Sequence, residues 1–250
     1  MATIEPKSIA LGHPSYVWRF GQDRRLNLVR SQVNLDGKRI LDVGCGIGTY
    51  TRKFRLFSSE VYGVDVDHER AQAASQNLTN IIVAPAEALP YPDDYFDVVF
   101  LHEVIEHVSD DRKAISEAIR VVASGGHVIL FAPNRLYPFE THGIYLGRKY
   151  IFKLIPFVNY LPDRLRRVFC PHVRAYTRRD LDHLFAPLPA RISYHTCVYP
   201  GFDNIVGRYR RLGHMLRQVL YFFEGTPLHV FGLSHFVVAD KTSACPPRGQ

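Results

Sequence analysis

Between residues 38 and 133, short β-branched runs alternate with amphipathic stretches, and this rhythm restricts the fold more than any other feature of the chain. RILDVG, EVYGVD, NIIVAPA, FDVVFL and HVILFAP read as strands, with helices over 49–57, 68–77 and 110–123 between them. Strands that are apolar on both faces and separated by helices imply a parallel sheet, because each crossover helix has to cover a face. ARISYHTCVY and SHFVVADK add a sixth and a seventh strand. The expected class is α/β, a doubly wound, mostly parallel seven-stranded sheet. Ser109 stands where the third helix needs a cap, and Gly125-Gly126 stand where it should end.

A helix over 15–33 precedes the sheet, so residues 1–37 read as an N-terminal helical cap and 38–250 as one domain. The rhythm breaks after Pro133. Residues 134–176 are rich in aromatics, proline and arginine, and the next helix starts only at Thr177, whose TRRD is a capping-type start. Some forty residues exceed what a bare connection uses, so 134–176 is an insertion, and 201–232 is a second. Either the insertions form a lid over an acceptor or they pack extra chain around the core.

Charge follows the same division. The net charge is +7, yet 134–217 alone holds fifteen Lys and Arg against five Asp and Glu. Such a patch suits phosphates, acidic lipid or an anionic substrate; the plainer reading is a solvated, arginine-rich surface. Cys45, Cys170, Cys197 and Cys245 lack metal-ligand spacing and read as free thiols of a reducing compartment. No run approaches the roughly 18 apolar residues of a membrane-spanning helix. A cytoplasmic protein is expected, with ACPPRGQ as a loose tail.

ILDVGCGIGTYT places Gly44, Gly46 and Gly48 at every second position after the first strand. Small residues there let the chain turn sharply and let a ligand lie on the main chain. The order G-x-G-x-G, with Thr49 next, departs from the G-x-G-x-x-G of dinucleotide sites. Asp42, two residues ahead of the first glycine, suits a cationic ligand bearing an ammonium or sulfonium group. Asp65 ends the second strand, where a carboxylate can accept the hydroxyls of a ribose.

LDVGCGIG, VYGVDVD, AEALPYPDDYFDVVF, and EVIEHV followed by GGHVILFAPN run in order over about 38–134. In these pieces the chain resembles the class I S-adenosylmethionine-dependent methyltransferases, particularly the group that includes ubiquinone-biosynthetic O-methyltransferases. The resemblance implies a Rossmann-like methyltransferase fold and leaves both insertions unmatched; a lid over the acceptor would explain why the first insertion follows strand five, whose end opens on the active site. The resemblance implies that Gly44, Cys45, Gly46 and Gly48 border the methionine part of S-adenosylmethionine, that Asp42 lies near its amino group, and that Asp65, followed by Val66, holds the ribose. Ala86 and His102 would flank the adenine and methionine, and Arg25 would reach the methionine carboxylate. Many relatives have Asp where this chain has Pro85, so that side-chain contact to the adenine is absent or supplied elsewhere.

HEVIEHV places Glu103, Glu106 and His107 at i, i+3 and i+4, which is one face if the segment is a helical turn. One reading is a divalent metal site, with His142 as a further ligand; the pattern resembles the metal site of plant small-RNA terminal methyltransferases. The favoured reading is hydrogen bonding to neighbouring backbone, since so short a motif fits many contexts. His107 or His142 is also the candidate base for an alcohol or phenol acceptor, because imidazole titrates near neutrality. YIFKLIPFVNYL beside RLRR suggests contact with an anionic membrane and an amphiphilic or lipid-like acceptor. An RNA methyltransferase and a catalytically idle cofactor-binding scaffold are the alternatives; no RNA-binding module is visible, and nucleic acid is not the expected partner.

Overall fold

The structure, a computed structural model, describes residues 19–243. Three sequence expectations therefore lie outside the described residues: the start of the first helix, Cys245 and the tail. The chain divides into two compact units. One, the sheet unit, comprises Val29–Phe131, Arg179–His195 and 237–243; the other, the insertion unit, comprises 19–28, Ala132–Arg178 and Thr196–Phe236.

In chain order the first elements are α1 (Arg19–Gln32), β1 (Ile40–Val43), α2 (Thr49–Phe54), β2 (Val61–Asp65), α3 (His68–Ser75) and β3 (Ile81–Val83). They are followed by β4 (Phe96–His102), α4 (Asp111–Val121) and β5 (Val122–Pro133). After the first insertion come α6 (Arg178–Phe185) and β10 (Ala190–Val198), and the sheet is completed by β11 (Ser234–Lys241). The seven strands lie in the order β10-β11-β5-β4-β1-β2-β3. The pairings of β1 with β2 and β4, of β2 with β3, and of β4 with β5 are all parallel.

Position in that order explains composition. All four residues of β1 are buried, because neighbouring strands flank it and helices cover both faces. Phe54, on α2, packs edge-on to Phe100 of β4 at 5.0 Å, and both rings are fully buried. Each such ring contributes about 1.5–3 kcal/mol by leaving water.

The helix ends correct two details. Asp110, and not Ser109, caps α4, its carboxylate accepting from the Lys113 N–H. The helix stops at Val121, where the chain turns directly into β5, so Gly125-Gly126 lie within a strand. The β4–β5 register shifts between Phe96 and Val98, and a Cβ on Gly126 would sit 2.6 Å from the Asp97 carbonyl oxygen. These glycines let β5 approach a backbone at a bulge.

In the insertion unit, residues 134–176 build two small antiparallel ladders, β6 (Phe139–Glu140) with β9 (Ile155–Pro156) and β7 (Ile144–Leu146) with β8 (Lys149–Ile151). Helix α5 (Asp163–Phe169) follows, and Ile144, Val158, Cys170 and Val173 form a core of their own. The second insertion folds as α7 (Asp203–Arg208) and α8 (Arg210–Glu224). The Asn134 side-chain amide donates to the carbonyls of Val230 and Gly232, each at 2.7 Å, tying together the roots of both insertions.

Candidate active site

The loop leaving β1 uses its glycines for two different purposes. All three have positive φ, at 71°, 55° and 80° for Gly44, Gly46 and Gly48. A Cβ on Gly44 would lie 2.4 Å from Val104, and one on Gly48 would lie 2.3 Å from Leu78. A side chain at either position would press on the protein's own side chains. At Gly46 an added Cβ meets nothing within 4 Å, so here alone in the loop bare main chain faces open space.

Two carboxylates flank this turn. Asp42 is only 2% exposed, and its carboxylate accepts from the Thr51 hydroxyl at 2.6 Å. Burial pushes its pKa up to about 7 against the pull of the Thr51 hydrogen bonds, and the Asp65 charge adds to the rise. Asp65 ends β2 as expected, but both its oxygens are engaged by backbone, one with the Gly46 N–H at 2.7 Å and the other with the Asp67 N–H at 2.8 Å. It therefore sets the shape of the glycine turn, whatever else it binds. Asp67 in turn caps α3 by accepting from the Glu69 and Arg70 N–H groups.

Cys45 is buried beside Gly63, and burial, with Asp42 and Asp65 nearby, drives its thiol well above the usual range. Its chemistry is packing. Cys45, Cys170 and Cys197 are all free and buried. Val66 is exposed, whereas Ala86 is buried. His102 ends β4, with its ring 4.7 Å from that of Tyr50 and its Nε2 3.3 Å from the Tyr50 hydroxyl. Thr51 and Tyr50 were missed by sequence reasoning. Only their positions two and one residues into α2, facing β1 and β4, make them relevant.

HEVIEHV is not a helical turn. Glu103 has φ 55°, and a tight turn closes only between Val104 and His107, whose N–H donates to the Val104 carbonyl at 3.0 Å. Glu103 thus does not share a helical face with the other two. Glu106 is buried, with a carboxylate oxygen 4.0 Å from His107 Nε2.

Arg25 and His142 belong to the insertion unit. Arg25 is buried and donates to the Ser234 hydroxyl at 2.8 Å. His142 is held by a buried carboxylate that sequence reasoning missed. Glu140 accepts from the His142 N–H at 2.9 Å, lies 3.1 Å from its Nδ1, and receives the Arg166 guanidinium at 2.8 Å. Burial opposes the Glu140 charge, but the His142 and Arg166 partners prevail and hold its pKa down at about 2. Arg166 is itself completed by Asn159 Oδ1 at 3.2 Å and the Val173 carbonyl at 2.9 Å.

The sheet order, with a glycine turn leaving β1 and an acid ending β2, is that of the Rossmann-like methyltransferase fold. Residues 41–130 match the family Methyltransf_11, described as a methyltransferase domain. Among curated proteins the chain is 34% identical over 142 residues to a ubiquinone biosynthesis O-methyltransferase of Pseudomonas fluorescens, covering 53% of this chain and 60% of that protein. It is 30% identical to the protein of the same name from Coxiella burnetii, covering 53% and 58%. The chain thus spans about 60% of the length of the curated relatives it matches. An S-adenosylmethionine-dependent methyltransferase from Mesorhizobium loti aligns in structure with a TM-score of 0.60 at 18% identity, covering 91% of this chain and 98% of that one. The [4+2]-cyclase SpnF aligns with a TM-score of 0.57 at 19% identity, covering 91% and 84%. A fold shared by a methyltransferase and a cyclase shows that architecture alone does not name a reaction.

Among the described residues no helix is long and apolar enough to cross a membrane.

Proposed function

We propose that the protein is an S-adenosylmethionine-dependent methyltransferase that O-methylates a small amphiphilic or lipid-like acceptor, acting in the cytoplasm or at an anionic membrane surface. The observation that carries it is the open main chain at Gly46 beside two mutually repelling carboxylates. A buried Asp42 held near neutrality loses free energy when it ionises alone and regains it beside a cation, which fits the charge of a sulfonium amino acid. When bound, that cofactor supplies an electrophilic methyl group. The protein's own residues hold the acceptor in line and remove its proton. Glu140 supports His142 as the base by holding its Nδ1 side at 3.1 Å, which orients the imidazole. The names of the curated relatives support oxygen as the atom methylated.

The test uses labelled methyl donor with fractionated lipid, small-molecule and RNA extracts. Label in a lipid or amphiphile fraction that falls at least a hundredfold in His142→Gln supports the reading. Label in RNA alone, or cofactor binding without turnover on any fraction, removes it.

A divalent cation held by Glu106 and His107 is a second reading, motivated by the 4.0 Å approach of Glu106 to His107. Undiminished turnover after chelation eliminates it.

A further inference from the structure

We infer that α8 is a membrane-docking helix whose outer face lies on an anionic lipid surface. The inference deepens the membrane part of the proposed function and rests on it, but moves the contact from residues 134–176 to the second insertion.

Exposed large apolar side chains are unevenly distributed. Of 22 among the described residues, only Ile47, Leu56, Val66, Ile82 and Val83 belong to the sheet unit, so the insertion unit carries 17. Four of these, Leu212, Met215, Val219 and Phe222, lie on α8, and Phe222 is 72% exposed. At helical periodicity they fall in a single stripe about 80° wide. Tyr209 stands exposed just before the helix begins.

The helix cannot roll to hide this stripe, because its inner side is pinned. A Cβ on Gly213 would lie 2.6 Å from the Val206 Cα, so α7 and α8 meet backbone to backbone there. Arg217 stacks on Phe20 at 3.9 Å, donates to Asp203 at 2.6 Å and also donates to the Gly201 carbonyl. Arg24 covers the Tyr221 ring at 3.9 Å and pairs with Glu224. The two acids of the second insertion are therefore both turned inward onto arginines. Its exposed charges are Arg208, Arg210 and Arg211, with His214 and Gln218 completing the polar flank of the stripe.

An apolar stripe with Arg211 at its edge and Arg208 and Arg210 exposed at its N-terminal end, and no exposed acid in the second insertion, complements the headgroups and acyl boundary of an acidic bilayer.

Co-sedimentation of the full chain with vesicles of phosphatidylglycerol and phosphatidylcholine, against phosphatidylcholine alone, tests the assignment. Binding should require the anionic lipid and weaken with salt. Phe222→Ser should lower partitioning about tenfold, and Arg210→Gln with Arg211→Gln about fivefold per arginine. A Phe157→Ser/Val168→Ser variant in the first insertion should bind as the unaltered protein does. All these positions are exposed, so unchanged melting temperatures accompany each result. If α8 variants bind fully while the first-insertion variant does not, docking belongs to 134–176 and α8 is excluded, with the membrane reading intact. Absence of vesicle binding by the unaltered protein overturns both membrane statements. Calorimetric cofactor binding, measured separately, still tests the methyltransferase reading. A dimer in sedimentation velocity that Phe222→Ser abolishes, without vesicle binding, makes the occupant a second copy and overturns the inference.

Discussion

Two buried carboxylates have opposite electrostatic characters, and each supports a prediction. Asp42 is destabilised by its own charge, so its free energy in the folded protein worsens as pH rises from 3.8 through about 7. A cationic ligand reverses that cost. Calorimetry with S-adenosylmethionine should therefore show affinity rising about tenfold per pH unit below about pH 7 and levelling above it. Asp42→Asn should bind weakly at every pH, and a strong pH slope persisting in that variant would refute the assignment. Glu140 is the converse case, stabilised as an anion by His142 and Arg166 in a buried site. Removing one member of a buried ionic network costs about 3–5 kcal/mol, because the partner remains desolvated. Arg166→Met should lower stability by that order in urea unfolding, while Glu140→Gln should in addition disturb the orientation of His142. A loss under about 0.5 kcal/mol for Arg166→Met would show the network to be dispensable.

At the scale of elements, the glycine loop separates packing from ligand approach. Gly44→Ala and Gly48→Ala each add a left-handed alanine and a contact with Val104 or Leu78. Overpacking of this kind costs about 1–3 kcal/mol, read as a lower melting temperature. Gly46→Ala meets no neighbouring atom, so it should cost only about 1–2 kcal/mol of backbone strain. Its main effect should be on ligand affinity, with a dissociation constant at least tenfold higher, because the methyl fills the one open stretch of the turn. If Gly46→Ala bound cofactor normally, the ligand would not lie on this loop. The bulge at Gly125-Gly126 illustrates the same principle in a strand. A glycine pair that reads as a helix stop serves instead to bring β5 against the Asp97 backbone.

For the whole molecule, these carboxylates predict a stability profile with two limbs. Glu140 has its pKa lowered from 4.5 to about 2, and those of Glu117 and Asp163 are lowered by Arg120 and Arg135 hydrogen bonds. Groups with depressed values stabilise the fold above their unfolded pKa, and that contribution disappears as pH falls below about 4.5. Asp42 acts in the opposite direction, its contribution being complete below 3.8 and lost as pH rises through about 7. Urea unfolding without ligand should therefore peak at about pH 4 to 4.5 and decline from there toward pH 7, and saturating S-adenosylmethionine should flatten that alkaline limb. An alkaline limb unaffected by the ligand would place the cation elsewhere.

The sequence by itself determined the strands, their parallel class, the position of the glycine turn and the acid ending β2. Each of these is written in local periodicity or in short runs whose chemistry depends on near neighbours. Tertiary structure decided what depends on atoms distant in the chain. It separated Gly46 from Gly44 and Gly48 by bringing Val104 and Leu78 against the latter two, and it drew Thr51 onto Asp42. It put Glu103 in a left-handed conformation that no i, i+3, i+4 count could foresee. Arg166, 26 residues beyond Glu140, became its buried partner. Burial and long-range pairing set these charges and contacts, and neither is encoded in the spacing of residues along a single strand or helix.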